Sequence, residues 1–368
     1  MTIIVATQAC RTSGALTIYR QFLSHLAENV NGHRWILFID PSMDHPIIEG
    51  VEYVFDSGHS WRERIRWNRK GLLNWLEEKR ISPDCIVSLQ NTGVITDCPQ
   101  VIYYHQSIPF YSKKWNIFKS SERIMWAYKH VYPYFVKETL NPKTEVVVQI
   151  PFIKHGFCKR FKFAPSKIHI LFPDVNLPAV EDVEPADDGY THFIYPATPL
   201  PYKGHNTIVD ALSALKQRDL ELAEKIKVHF TITRKDAESL INAQKLSGVE
   251  DMLVFEGSIP FKDLLLRYRS YSGLLFPSSI ETLGLPLVEA ANFGLPVIAN
   301  DLPYAREVLE GYNGVEFISI SSVEKWAGQI RNLAHHKKRY PPLKLEKSSW
   351  KDFFDLIEKV VAKWNPAD

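Results

Sequence analysis

Short apolar runs alternate with amphipathic stretches through both halves of the chain. Ile3 to Ala6 reads as a strand, Arg11-Thr12-Ser13-Gly14 as a turn, and Leu16, Tyr19, Phe22, Leu23 and Leu26 as one face of a helix. Further strands are expected at residues 35–39, 52–55, 85–89, 101–105, 145–150 and 168–172. The rhythm breaks over residues 174–189, where two prolines and six acids make a linker. It resumes with strands at residues 192–195, 228–231, 253–255, 274–276 and 297–299. Strands separated by helices imply mostly parallel, doubly wound α/β sheets, because parallel strands need crossover connections. A last helix at residues 350–364 carries Trp350, Phe353, Phe354, Ile357, Val360, Val361 and Trp364 on one stripe.

The densest chemistry lies between Phe276 and Leu309. A strand runs into Pro277-Ser278-Ser279, then Glu281, the loop Thr282-Leu283-Gly284-Leu285-Pro286, a helix with Glu289, and another strand after Pro296. Gly284 lets backbone come close to an anion, and Pro286 suits a first helical turn because its missing N–H would have had no helical acceptor. Amides at such a helix start can hold a diphosphate. Carboxylates there would repel phosphate, so Glu281 and Glu289 are better suited to accept hydrogen bonds from hydroxyls, one from a sugar and one from a ribose. The bland alternative, acids complementing a helix dipole, accounts for one glutamate and leaves the rest of the order unexplained.

Glu281, Gly284 and Glu289 in this order resemble the Glu-x7-Glu signature of retaining GT-B glycosyltransferases, glycosyltransferase family 4 (glycosyl transferases group 1) in particular. The resemblance implies two Rossmann-like domains facing across a crevice, with the terminal helix crossing back onto the first. The boundaries would be 1–173 plus 350–364 for the acceptor-side domain, 174–189 for the linker and 190–349 for the nucleotide-sugar domain. It also implies that Glu281 binds the donor sugar, Glu289 the ribose, and Thr282, Leu283, Gly284 and Leu285 the diphosphate. Lys203, before the helix that opens at His205, matches the family's second basic position. The first is here Thr198, which leaves one phosphate cation short. Arg234, after the strand-like KVHFTIT, is a candidate substitute, with a solvated arginine as the competing reading. His105, at a strand's carboxyl end, matches the family histidine near the reaction centre. Gly14 stands in the place of the family's glycine-rich first loop, although a plain helix start explains it too.

Composition narrows the setting. With 45% hydrophobic and 23% charged residues over 368 positions, the chain is a globular protein with room for two cores. No apolar run reaches eighteen residues, the amino terminus lacks a basic leader, and four cysteines without CxxC spacing suit a reducing cytoplasm. The chain contains no D-x-D triplet, so no metal and no cofactor beyond the nucleotide sugar are expected.

Residues 61–80 and 113–137 are locally basic and interleaved with aromatics, although the formal net charge is only +2. This pattern suits peripheral binding to an anionic inner membrane surface, or else a solvated face whose aromatics turn into the core. No nucleic-acid-binding motif accompanies it. The expectation is therefore hexosyl transfer from a nucleotide diphosphate sugar to a glycan or lipid-linked acceptor in cell-surface polysaccharide biosynthesis. A non-catalytic nucleotide-sugar-binding subunit and a GT-B-type sugar-nucleotide epimerase are the alternatives.

Overall fold

The structure is a computed structural model that describes residues 1–56, 60–120, 122–175, 177, 188–336, 338–344 and 349–364, apart from the side chain of Ser13. The chain forms two compact units, Met1–Asp174 with Lys347–Asp368, and Val175–Glu346. Most of the expected linker, residues 176 and 178–187, lies outside the described residues.

The first unit is built on a seven-stranded parallel sheet. Its strands are β1 (Thr2–Ala6), β2 (Arg34–Ile39), β3 (Val51–Phe55), β4 (Cys85–Ser88), β5 (Gln100–Tyr103), β6 (Thr144–Val148) and β7 (Ile168–Ile170). They lie in the order β3-β2-β1-β4-β5-β6-β7. Ile3 and Val5 enter the core on one face and Ile4 the core on the other, as the two-residue side-chain period of a strand covered on both sides requires.

The amphipathic helix Trp350–Trp364 belongs to this unit although it ends the chain. Its apolar stripe packs with the helix Ser13–Leu26 in the larger core. Phe354 stacks on Phe22 at 5.6 Å, Trp350 stacks on Tyr103 at 5.8 Å, and the Trp350 indole N–H donates to Gln21 Oε1 at 3.1 Å. The crossing-back expected of the last helix is thus what the fold contains.

The second unit holds a six-stranded parallel sheet. Its strands are β8 (Thr191–Tyr195), β9 (Ile226–Phe230), β10 (Leu253–Phe255), β11 (Gly273–Phe276), β12 (Val297–Asn300) and β13 (Val315–Ile318), in the order β10-β9-β8-β11-β12-β13. The last strand escaped the apolar pattern because it is a half-exposed edge with Glu316 in its middle. Both sheets reverse their strand order once, between β1 and β4 and between β8 and β11. In open α/β sheets, ligands bind outside the strand carboxyl ends at such switch points.

Candidate functional site

Two loops leave the switch point of the second sheet side by side. One runs from β8 through a short turn, Pro201–Lys203, into the helix His205–Arg218. The other runs from β11 into the helix Leu285–Asn292. They are tied together at backbone level. The Ser279 amide donates to the Tyr202 carbonyl at 2.8 Å. Gly204, at φ 76°, approaches so closely that a Cβ there would meet the Pro277 carbonyl oxygen at 2.7 Å. Glycine is therefore needed at 204 for both its dihedral and its lack of bulk.

This fastening brings Lys203 to Glu281. Their Nζ and Oε1 atoms are 2.6 Å apart, and the side chains are 15% and 13% exposed. That is a charge-assisted contact shielded from most of the solvent yet open on one side. The sequence reading gave the two residues separate duties and had no means of seeing that they touch.

At the start of the next helix Gly284, at φ 73°, precedes Leu285 and Pro286; Pro286 has no N–H, and the Leu287 amide donates to the Gly284 carbonyl at 2.8 Å. Leu283 is buried and anchors the loop, whereas Thr282 is half-buried. Within the helix, Glu289 is buried and accepts a hydrogen bond from the Tyr268 hydroxyl at 3.1 Å. Burial raises its pKa to about 7, against which the Tyr268 hydrogen bond works. Tyr268 was missed from sequence because it sits on another helix, Phe261–Ser270, with no motif around it.

His205 was also missed. It is buried with both ring nitrogens lacking a hydrogen-bond partner, and its ring packs against Tyr195 and Phe230. Burial, helped by the Lys203 charge, pushes its pKa down to about 4, so it is neutral beside that lysine.

Other expected site residues need correction. The strand before Arg234 ends at Phe230, and Arg234 opens a helix, Arg234–Leu240, behind a Thr233–Asp236 capping box. Its guanidinium is exposed and paired with Glu238 at 3.0 Å and with Glu250. Thr198 is exposed in the β8 loop. Gly14 lies inside the first turn of the helix Ser13–Leu26 rather than in a loop, in open space.

His105 follows β5 in the first unit by two residues and is half-buried. Its backbone N–H donates to Asn91 Oδ1 at 2.5 Å, and its Nε2 lies 3.0 Å from the Leu89 carbonyl. A carbonyl only accepts, so Nε2 carries the hydrogen, and burial lowers the imidazole pKa. Lys203, Glu281, Thr282, Leu283, Gly284, Leu285 and Glu289 share the second unit with Arg234, while Gly14 and His105 belong to the first. Among the described residues, no three or more His, Cys, Asp or Glu are grouped to hold a metal ion.

Two Rossmann-type sheets with a returning terminal helix make this a GT-B fold. The structure of WaaG, a glycosyltransferase involved in lipopolysaccharide biosynthesis, superposes with a TM-score of 0.61 over 100% of both chains at 17% identity. Residues 179–347 match the family model described as glycosyl transferases group 1.

Two curated relatives are similar in sequence. The O-antigen chain mannosyltransferase RfbU of Salmonella typhimurium is 23% identical over 182 residues, 49% of this chain and 48% of that protein. The D-inositol 3-phosphate glycosyltransferase 1 of Catenulispora acidiphila is 28% identical over 221 residues, 55% of this chain and 53% of that protein. The chain thus spans about half the length of the curated relatives it matches.

Proposed function

We propose that the chain is a glycosyltransferase that moves a hexose from a nucleoside diphosphate sugar to a glycan or lipid-linked acceptor in cell-surface polysaccharide assembly. The observation that carries this reading is the Lys203–Glu281 pair beside the Gly284 helix start, at the switch point of a glycosyl transferases group 1 domain. The two curated relatives, by name a mannosyltransferase and a glycosyltransferase, support the same class.

In this reading Glu289 accepts hydrogen bonds from the ribose, and Glu281 from the sugar while it holds Lys203 in place. Lys203 and the amides around Gly284 face the diphosphate. As the bond from the anomeric carbon to the diphosphate oxygen breaks, negative charge grows on that oxygen. A preorganised cation and fixed dipoles stabilise such charge by about 3 kcal/mol per donor. The acceptor hydroxyl oxygen bonds to the anomeric carbon on the same face, its proton passes to the departing diphosphate, and configuration is retained. His105 would approach the sugar. Lys203 and the helix start take the part a divalent metal plays elsewhere, so the reaction needs none.

The experiment is sugar release and transfer from radiolabelled donors in excess EDTA, for wild type and Lys203→Ala. Activity that survives EDTA and falls in the variant supports the reading. Activity silenced by EDTA and restored by Mn²⁺ overturns the metal-free mechanism.

The basic stretch of the first unit supports peripheral attachment to an anionic membrane surface as part of the same proposal. Phe118 is 90% and Ile124 64% exposed, among the exposed Lys113, Lys114, Lys119 and Arg123. Trp115 is buried, and Trp61, Tyr128 and Tyr132 pack on one another, whereas Ile117, Val131 and Tyr134 are exposed beside Phe118 and Ile124. Among the described residues, no helix is long and apolar enough to cross a membrane.

A further inference from the structure

Gly294 closes the stretch that begins at Glu281, yet the chemistry above gives it no task. It follows the helix Leu285–Asn292 by two residues and stands at φ 65°. A Cβ there would come within 2.2 Å of the Tyr340 carbonyl oxygen, so the bare backbone makes room for another segment of chain. That segment, residues 339–343, belongs to the same unit and forms a strap across the ends of two helices.

The strap is bonded to both. The Tyr340 amide donates to the Gly294 carbonyl and the Leu343 amide to the Ala291 carbonyl, each at 3.0 Å. Asn292 Nδ2 donates to the Leu343 carbonyl at 3.4 Å. These bonds fasten the strap to the carboxyl end of the helix Leu285–Asn292. At the other helix, Phe261–Ser270, the tie is Arg339. Its Nη1 donates to the Tyr268 carbonyl at 2.9 Å, and its Nη2 to the Tyr271 carbonyl at 2.8 Å and to that of Arg269. The last carbonyls of a helix have no intrahelical donor, and the helix dipole favours a cation beside them. The rigid fork of a guanidinium suits three acceptors at once.

The two helices held in this way carry the two halves of one hydrogen bond. Tyr268, whose carbonyl Arg339 holds, donates its hydroxyl to Glu289 Oε2 at 3.1 Å. That is long for a hydroxyl donor, so a small separation of the helices is enough to break it. Both residues are buried, and solvent does not stand in for a lost partner there. The Tyr268 ring also lies near Phe293, just past the end of the second helix, with centroids 6.2 Å apart.

We propose that Arg339 is a positioning residue that, through this strap, holds the Tyr268 hydroxyl against the Glu289 carboxylate. That the carboxylate serves a ribose rests on the transferase reading above; the clamp does not.

The test reads Glu289 itself in the nucleotide-free full chain, by carbon-13 NMR of the glutamate carboxyls, its signal identified by loss in Glu289→Gln. Wild type should titrate near a pKa of about 7, because burial raises it and the Tyr268 hydrogen bond works against burial. Tyr268→Phe should raise the midpoint by about one unit, the worth of a hydrogen bond to the charged form. Arg339→Ala should raise it similarly, and the double variant no further than Tyr268→Phe alone, since both act through one contact. Arg339→Lys keeps the positive charge and gives up the fork, so it should shift the midpoint in the same direction. It also serves where the alanine variant fails to fold.

A purely structural Arg339 would lower the melting temperature and leave the midpoint alone. A midpoint unchanged in the folded Arg339 variants overturns the proposal. So do shifts of Arg339→Ala and Tyr268→Phe that add in the double variant, since Arg339 would then act by charge alone.

Titration of UDP and GDP into the same samples separates the clamp from the reading it rests beside. With the midpoint one unit higher, the ionised fraction at pH 7 falls from about half to about a tenth. Nucleotide affinity should then drop about fivefold, and the donor KM should rise with it while kcat holds. A shifted midpoint with no effect on nucleotide binding leaves the clamp standing and sinks the ribose role of Glu289. An unshifted midpoint with normal nucleotide binding sinks the clamp alone.

Discussion

The carboxyl edges of the two sheets share a strand order and differ in chemistry. At the second, a lysine and a glutamate meet beside a glycine helix start. At the first, the edge carries the tautomer-fixed His105. One topology therefore carries an ion pair at one edge and a neutral imidazole-bearing edge at the other. The strand order selects where a ligand goes, and the loops select which ligand.

If the units are chemically separate, damage to one should leave the other working. Trp350→Ala removes a stacked, fully buried indole that joins the last helix to the first core. It should cost about 3–5 kcal/mol, with a matching fall in the first unit's melting temperature. Nucleoside diphosphate affinity should be retained at temperatures where that unit stays folded. A parallel loss of affinity under those conditions would mean the comparison is drawn in the wrong place.

Lys203→Ala should reduce donor hydrolysis about a hundredfold, since it removes the cation and leaves Glu281 half-buried without its counterion. Chelation should cost far less. Glu289→Ala should weaken nucleoside diphosphate binding ten- to hundredfold, the value of a buried charge-assisted hydrogen bond of about 1.5–3 kcal/mol. Glu281→Ala should leave that affinity nearly intact while turnover falls. Equal loss of affinity in both glutamate variants would collapse the division of labour.

Acidity gives a further separation. A carboxyl raised from 4.5 to about 7 in the folded state binds its proton more tightly folded than unfolded. Its contribution to stability is present below pH 4.5 and is lost as pH rises to about 7. Relative to Glu289→Gln, wild type should lose roughly 3 kcal/mol across that window. A pH-independent difference between the two melting curves would show that burial does not hold the proton.

The smallest effect belongs to the basic face of the first unit, where each charge near an anionic leaflet contributes about 1 kcal/mol. Wild type should co-sediment with anionic vesicles at low salt and be released at high salt. Lys113→Glu, Lys114→Glu and Lys119→Glu together should reduce this binding without altering donor hydrolysis.

What could be read in the sequence follows from range. Apolar alternation located β1 to β12, and the Glu281–Glu289 stretch located the helix start, because each of these signals spans fewer than about twenty residues. The returning helix was legible from its stripe, its return to the first domain came only through resemblance, and its partner Phe22 came from neither. Contacts between distant segments left no pattern. Lys203 and Glu281 are joined by the Gly204–Pro277 approach, and Glu289 meets a tyrosine on the preceding helix. The π-helical turn Trp67–Gly71, in which Asn68 is buried, has no composition of its own. Arg234 misled because the strand ends earlier than its β-rich sequence suggests, and Thr233 then caps a helix.

Calorimetric titration of UDP and GDP into wild type and Glu289→Gln at pH 6 and pH 8, in buffers of differing ionisation enthalpy, tests the central assignment most directly. Ribose hydroxyls favour the ionised carboxylate, so wild type should bind one nucleotide more tightly at pH 8 and release a proton on binding at pH 6. Glu289→Gln should bind it at least about tenfold more weakly at pH 8, with no proton release. Failure of both nucleotides to bind wild type, or proton release of equal size in the variant, would contradict the assignment of this edge to a nucleotide sugar.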